Sequence, residues 1–183
     1  MSLLEIRRGL NVLEATGRRL VGYASVFNRP SLPLQDSRGR EFTEFVNRGA
    51  FDESIKRGGA WALWNHDRGE VLARHPDTLS LREDEIGLRF EFELPETSRG
   101  NDVRELMSKG ILDGQMSFGF RVLEDRWDTR GSERVRNLIR VDLAEISVVP
   151  EAAYPQTNSQ LRHGAALAWH RRRLELARRS VAQ

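Results

Sequence analysis

A histidine, a serine and a glutamate in three separate segments are the residues of this chain best suited to acid–base and nucleophilic chemistry. His66 directly follows the apolar run Ala60–Trp64 and Asn65, and Asp67 comes after it. A histidine at the end of a buried strand is partly shielded from water and held by a rigid element, which suits a general base. A structural histidine in a turn would fit the same position.

Ser117 lies in the segment Gly114–Phe120, GQMSFGF. Strand alternation puts Ser117 on one face with Gln115 and Gly119, while the apolar residues between them face the other way. These small or polar neighbours leave space for a substrate carbonyl. A serine becomes an effective nucleophile when an adjacent base takes its proton. The alternative is a serine that only packs in a strand beside a glycine bulge.

Glu145 stands among apolar residues in the segment Val141–Pro150, VDLAEISVVP. A carboxylate in so apolar a strand is costly to bury unless a hydrogen-bonding or cationic partner stands opposite. A histidine would meet that need, and in a catalytic triad the acid orients the imidazole. Asp142 competes for this role, although it lies on the opposite strand face and suits a solvent-facing position. A glutamate paired with an arginine on an edge strand is the alternative for Glu145.

The elements that must position these side chains are mostly strands. Short runs of β-branched, aromatic and leucine residues recur between Gly, Pro, Asn and Asp. The nine candidate strands are Arg18–Asn28, Arg40–Val46, Trp61–Asn65, Glu70–Arg74, Thr78–Arg82, Gly87–Leu94, Gln115–Glu124, Arg134–Leu143 and Glu145–Val149. So many strands with few helices predict a barrel or a sandwich.

Two helices interrupt the strands. The first is predicted over Ala50–Lys56, and the second over Asp102–Lys109 with Ser98 and Asn101 as possible caps. In the second helix Val103, Leu106 and Met107 fall on one face and predict a packing surface. The segment Ser31–Gly39 is typical of a surface loop.

The composition changes beyond Pro155. We predict one β-rich domain over residues 1–155 and a basic helical tail over residues 156–183, with the amphipathic helix starting at Leu161. The tail could be a solvated helix, could dock on an acidic capsid or scaffold surface, or could bind nucleic acid through phosphates. Its arginines are Arg171, Arg172, Arg173, Arg178 and Arg179.

Composition removes several classes of function. The chain has no cysteine, so disulfides, thiolate metal sites and a cysteine nucleophile are excluded. No segment approaches the ~20 apolar residues that span a bilayer, and the first residues lack a secretory signal, so we expect a soluble, intracellular protein. The net charge of +2 does not indicate nucleic-acid binding. His66, Asp67 and His75 could in principle bind zinc, but we expect neither a metal nor a cofactor.

Six blocks in the same order resemble the prohead proteases of tailed phages, and together they run from about Gly22 to Pro155. The blocks are GYASVFN at Gly22–Asn28, FVNRGAFDESIKRG at Phe45–Gly58, NHD at Asn65–Asp67, DEIGLRFEFELPET at Asp84–Thr97, KGILDGQMSFGF at Lys109–Phe120 and LAEISVVPEAAYP at Leu143–Pro155.

The resemblance implies a mainly β fold with flanking helices (α+β), a closed or partly closed antiparallel β-barrel of the assemblin and prohead-protease type. By position, His66 becomes the general base and Ser117 the nucleophile. Glu145 stands in the segment where herpesvirus assemblins have a second histidine. The implied reaction is acyl transfer, and by analogy with assemblins backbone N–H groups of Glu151–Tyr154 would form the oxyanion hole.

The implied function is that of a serine endopeptidase. It would remove the scaffolding segment of the major capsid protein, and cleave itself, inside the assembling prohead in the host cytoplasm. Weak self-association as a dimer, or an incomplete oxyanion hole in the free protein, would restrain it before assembly. Two other hypotheses stay open: a non-catalytic capsid-assembly or scaffold protein with the same barrel, and a nucleic-acid-binding barrel that acts through the arginine-rich tail.

Overall fold

A computed structural model of the chain describes residues 4–9, 13–112 and 114–150. In this part of the chain the strands are β1 Glu5–Gly9, β2 Leu13–Thr16, β3 Arg19–Val26, β4 Leu34–Gln35, β5 Glu41–Val46, β6 Trp61–Trp64, β7 Asp67–Arg74, β8 Leu79–Glu83, β9 Gly87–Glu93, β10 Gln115–Arg130 and β11 Glu133–Val149. The helices are α1 Asp52–Arg57 and α2 Ser98–Ser108.

The strands form two sheets. The seven-stranded sheet has the order β1-β10-β11-β5-β4, and β6 joins it by pairing with β11 and β7. The four-stranded sheet has the order β2-β3-β9-β8. β10 and β11 form a long antiparallel hairpin, whereas β5 and β6 both pair with β11 in parallel, at Val135–Leu138 and Glu145–Val148 respectively.

The prediction of a mainly β chain with helices is confirmed, but no closed barrel is found among the described residues. β3 packs against β10 and β1, yet the strand orders of the two sheets do not connect. The parallel ladders also depart from the predicted antiparallel arrangement. Hydrophobic alternation gives the faces of a strand but not its direction, and the length of β11 lets two short strands share one of its edges.

Most predicted strands match observed ones, and the differences have local causes. The segments Arg134–Leu143 and Glu145–Val149 form the single strand β11, because Gly119 pairs with Glu145 and Phe120 with Leu143, which leaves Ala144 in a β-bulge. The predicted loop Ser31–Gly39 contains the short strand β4. β1 and β2 were not predicted, since their charged residues hide the strand pattern.

The core sets the orientation of β10. Met116, Phe118 and Phe120 are almost fully buried, and Phe51, just before α1, contacts the Phe118 ring with 5.7 Å between centroids. Burying each such side chain contributes about 1.5–3 kcal/mol. These contacts fix one face of β10 inward. Ser117 therefore lies on the opposite face.

The predicted packing surface of α2 is confirmed, but its predicted caps are wrong. Val103 is fully buried, and Leu106 and Met107 pack against the core. Thr97, not Ser98 or Asn101, caps the helix, since its hydroxyl accepts a hydrogen bond from the Gly100 N–H. Neither described helix is long and apolar enough to cross a membrane.

Candidate active site

His66 lies in the two-residue turn that joins β6 to β7. Asn65 and His66 have φ angles of 48° and 65°, as in a type I′ hairpin turn, in which asparagine is favoured. The turn is bound to β11 because Asn65 N donates to Val148 O at 2.9 Å and His66 N donates to Ser147 Oγ at 3.2 Å. The imidazole is thus held by a tight turn that β11 fixes in place.

The imidazole of His66 contacts the buried carboxylate of Glu145. The distance between His66 Nδ1 and Glu145 Oε1 is 2.8 Å, and the two side chains are 15% and 5% exposed. Because a carboxylate only accepts, Nδ1 carries the proton and Nε2 keeps a lone pair in the neutral ring. His66 Nε2 is buried and has no hydrogen-bond partner among the described residues. This leaves a basic nitrogen ready to accept a proton.

Ser147 completes the surroundings of Glu145, and sequence reasoning missed it. Its hydroxyl donates to Glu145 Oε2 at 2.5 Å, and Ser147 is fully buried. Each carboxylate oxygen therefore has a donor, which offsets much of the cost of burying the charge. The available signal was spacing: Ser147 lies two residues after Glu145 in the same strand and so on the same face.

Gly119 makes room for the Glu145 carboxylate. The two residues are paired across β10 and β11. A Cβ atom on Gly119 would lie 3.1 Å from Glu145 Cδ and still closer to Oε1. The small neighbours of Ser117 predicted space for a substrate carbonyl here, but the Glu145 carboxylate fills the space beside Gly119. Only glycine allows Glu145 its present position.

Ser117 lies on β10, directly across from Ser147 on β11. Paired residues of an antiparallel ladder share a face, so Ser117 is on the same face as Glu145. Ser117 has no exposed surface, and its hydroxyl donates to the Arg7 carbonyl at 2.7 Å. In this arrangement the hydroxyl proton of Ser117 is directed at a backbone carbonyl of β1.

Asp142, the competing carboxylate, lies elsewhere on β11. Its side chain forms ion pairs with Arg57 and with Arg121, the latter at 3.6 Å, and it is 27% exposed. The arginine partner considered for Glu145 is thus found at Asp142, whereas the partner observed for Glu145 is His66.

The remaining predicted site residues do not form a common centre. The ring nitrogens of His75 lie 2.8 Å from Leu79 O and 3.0 Å from Ile55 O. Asp67 accepts from the Gly69 N–H. Within the described ranges there is no group of three or more side chains that could hold a metal. The suggested oxyanion loop Glu151–Tyr154, the boundary at Pro155 and the tail lie outside the described residues.

Comparison with known protein families gives a match over most of the chain. The family model described as caudovirus prohead serine protease matches residues 7–168 of the 183-residue chain. No curated protein and no solved structure matches the chain. The matched range includes His66, Ser117 and Glu145.

Proposed function

Because the chain belongs to the caudovirus prohead serine protease family, we propose that it is a serine endopeptidase that cleaves the scaffolding segment of the major capsid protein during prohead maturation. The proteases of this family act in capsid maturation. The observation that best supports catalysis by this chain is the buried His66–Glu145 hydrogen bond, which leaves Nε2 without a partner. A buried polar atom without a partner is uncommon and requires an explanation, and a base that accepts the serine proton supplies one.

Each residue of the proposed triad has one role. Nε2 of His66 accepts the Ser117 proton while Oγ attacks the carbonyl carbon of the scissile bond. The imidazolium then gives that proton to the departing amine, leaving an acyl group on Ser117, and a water activated by His66 hydrolyses the ester. Glu145 keeps Nδ1 protonated and stabilises the imidazolium.

The mechanism requires Ser117 to change its hydrogen bond. Its proton now faces the Arg7 carbonyl, so the hydroxyl must turn from β1 to His66 Nε2 before attack. Catalytic hydrogen bonds are often unformed without substrate. The arrangement is therefore a resting form of the enzyme, in which neither the nucleophile nor the base is engaged with the other.

The proposed setting is the interior of the assembling prohead in the host cytoplasm, where the major capsid protein is the principal substrate and the protease also cleaves itself. Self-association before assembly and docking through the basic tail belong to the same proposal. They are consistent with an enzyme that must act only after it is enclosed.

The experiment is co-expression of the chain with the major capsid protein of the same genome. We expect wild type to shorten the capsid protein and Ser117→Ala to leave it intact. Ser108→Ala is the matched control, because Ser108 is an exposed serine at the end of α2. Equal shortening by wild type and Ser117→Ala would rule out Ser117 as the nucleophile.

The second candidate is a capsid-assembly or scaffold protein without catalysis. The complete burial of Ser117 and its bond to β1 favour this alternative. It predicts normal shells and a full-length capsid protein with both wild type and Ser117→Ala. The same co-expression therefore separates the two functions.

A further inference from the structure

The edge of β10 beside Ser117 is occupied by the chain's own N-terminal strand. β1 pairs with β10 in antiparallel fashion, with Arg7 opposite Phe118 and Arg8 opposite Ser117. β1 ends the strand order of its sheet. Because Ser117 is fully buried and bonded to β1, an extended peptide can reach it on this edge only by replacing that strand.

An extended peptide commonly binds a sheet by adding a strand to its edge. Main-chain hydrogen bonds then supply affinity, and pockets for alternate side chains supply specificity. A serine protease also needs the carbonyl of the cleaved bond next to its nucleophile. In β1 that carbonyl belongs to Arg7, whose oxygen is 2.7 Å from Ser117 Oγ. The carbonyl group of Arg7 therefore adjoins the nucleophile, as that of the residue before the cleaved bond must.

The Arg7 side chain is held by a buried acid. Its Nε and one terminal nitrogen donate to the two oxygens of Glu44 at 2.5 and 2.9 Å, and the guanidinium lies 5.4 Å from the centre of the Phe120 ring. The side chain of Glu44 is only 2% exposed. Such a bidentate pair matches the planar geometry of the guanidinium and is among the strongest hydrogen-bonded pairs in proteins.

The charges that stay behind when β1 leaves also favour a basic side chain. Glu5 and Arg7 both belong to β1, so their departure leaves the carboxylates of Glu44 and Asp125 facing the single guanidinium of Arg136. Two carboxylates then face one guanidinium, as three faced two while β1 was in place. A basic side chain at the position of Arg7 is therefore favoured over a neutral or an acidic one.

We propose that β1 holds the place of the substrate strand and that Glu44 selects a basic residue immediately before the bond that is cleaved. A substrate strand that displaces β1 in the same register puts the carbonyl of that residue against Ser117 and its side chain against Glu44. The inference rests on the proposed function, since it takes Ser117 as the nucleophile. It assigns specificity to a residue on β5, outside the proposed triad.

The first test uses the full-length wild-type chain and peptides that copy β1. The probe is EIRRG with reporter groups at its ends, and the first arginine is replaced by citrulline or by glutamate. Citrulline keeps the shape of arginine without its charge. We expect kcat/KM to fall about tenfold to hundredfold with citrulline, and further with glutamate. Equal cleavage of the arginine and citrulline peptides would overturn the proposal.

The second test loosens β1. Arg7→Gln removes the charged contact with Glu44, so β1 should compete less with added EIRRG, and kcat/KM should rise about tenfold. Arg19→Gln is the matched control, since it breaks an exposed pair with Glu91 on the four-stranded sheet. An Arg7→Gln variant that is folded and no faster than wild type would contradict the blocking role of β1.

The role of Glu44 is tested directly with Glu44→Gln. This variant should lose the preference for arginine over citrulline. Glu44 is buried among charges, so if the variant fails to fold, the peptide series on wild type decides the matter alone. A folded Glu44→Gln that keeps the full preference would refute the assignment.

Ser117→Ala separates this inference from the proposed function. Cleavage that depends on Ser117 but shows no preference for arginine refutes the role of Glu44 and leaves the protease intact. Cleavage that persists in Ser117→Ala refutes the proposed function. Absence of any Ser117-dependent cleavage of the peptides counts against both.

Discussion

Replacing Gly119 with alanine should abolish the proposed peptidase activity by displacing Glu145, without altering any side chain of the proposed triad. The added methyl would lie 3.1 Å from Glu145 Cδ and closer to Oε1. Carbon atoms pack at about 3.5–4.0 Å, so the carboxylate must retreat by roughly 0.5–1 Å. The hydrogen bond of 2.8 Å to His66 would then stretch beyond the usual limit of about 3.2 Å.

The expected loss is large because the acid determines which ring nitrogen carries the proton. Disturbing the acid in a serine protease of known mechanism costs up to about 10⁴ in kcat. We expect a fall in kcat of about 10²–10⁴ for Gly119→Ala, and about 1–3 kcal/mol of lost stability from the weakened buried hydrogen bond. Peptide cleavage and urea denaturation measure the two effects.

Two further variants make this prediction sharp. Gly69→Ala is the control, since its added methyl would meet the exposed Asp67 carboxylate at 3.2 Å. Glu145→Asp shortens the acid and so relieves the contact with the added methyl. It should therefore lower kcat less in the Gly119→Ala background than in wild type, because the effects of two residues in contact are not additive. A folded Gly119→Ala variant with wild-type kcat would refute the reasoning about this contact.

Three other predictions follow from contacts in the same sheet. Ser147→Ala removes the donor to Glu145 Oε2 and the acceptor for the backbone N–H of His66, so kcat should fall about tenfold to hundredfold. An unchanged kcat in the cleavage assay would contradict a role of Ser147 in positioning Glu145 and His66. Asp142→Asn should keep kcat within about twofold of the wild-type value, whereas Glu145→Gln should lower kcat by roughly 10³ or more. The reverse order would make Asp142, not Glu145, the acid of the triad. Burial alone would raise the pKa of Glu5, but the hydrogen bond and charge of Arg136 outweigh burial and lower this pKa below 4.5. Ionised Glu5 therefore stabilises the fold above pH 4.5, and this contribution is lost as pH falls through the folded-state pKa. In urea denaturation from pH 3 to 7, Glu5→Gln should lose less stability at acid pH than wild type, and identical pH profiles would contradict this prediction.

The strands that carry the site were predictable because their residues leave little choice. β6 and the first half of β10 are short apolar runs bounded by turn residues. The need of Glu145 for a partner was also predictable, since a carboxylate in an apolar strand is costly to bury alone. That reasoning allowed either a histidine or an arginine, and only the fold brings His66 to Glu145.

Other features depend on pairs that are distant in sequence. β1 contains two arginines and a glutamate, so it lacks the alternation that indicates a half-buried strand. Glu5 and Arg7 are partly buried because Arg136 and Glu44, which lie 131 and 37 residues away in sequence, bind them. The role of Gly119 depends in the same way on its register with Glu145. Local patterns carry no information about such partners.

The central claim is that Ser117, His66 and Glu145 act as one catalytic unit, and covalent labelling of the serine tests it most directly. A fluorophosphonate reacts only with an activated serine, and mass spectrometry locates the adduct. Because Ser117 is buried and bonded to β1, we predict an adduct on Ser117 that forms as β1 is displaced, in wild type and in Asp142→Asn, and none in His66→Ala or Ser117→Ala. An adduct on Ser117 that forms equally fast in His66→Ala, or an adduct on another serine, would contradict the account.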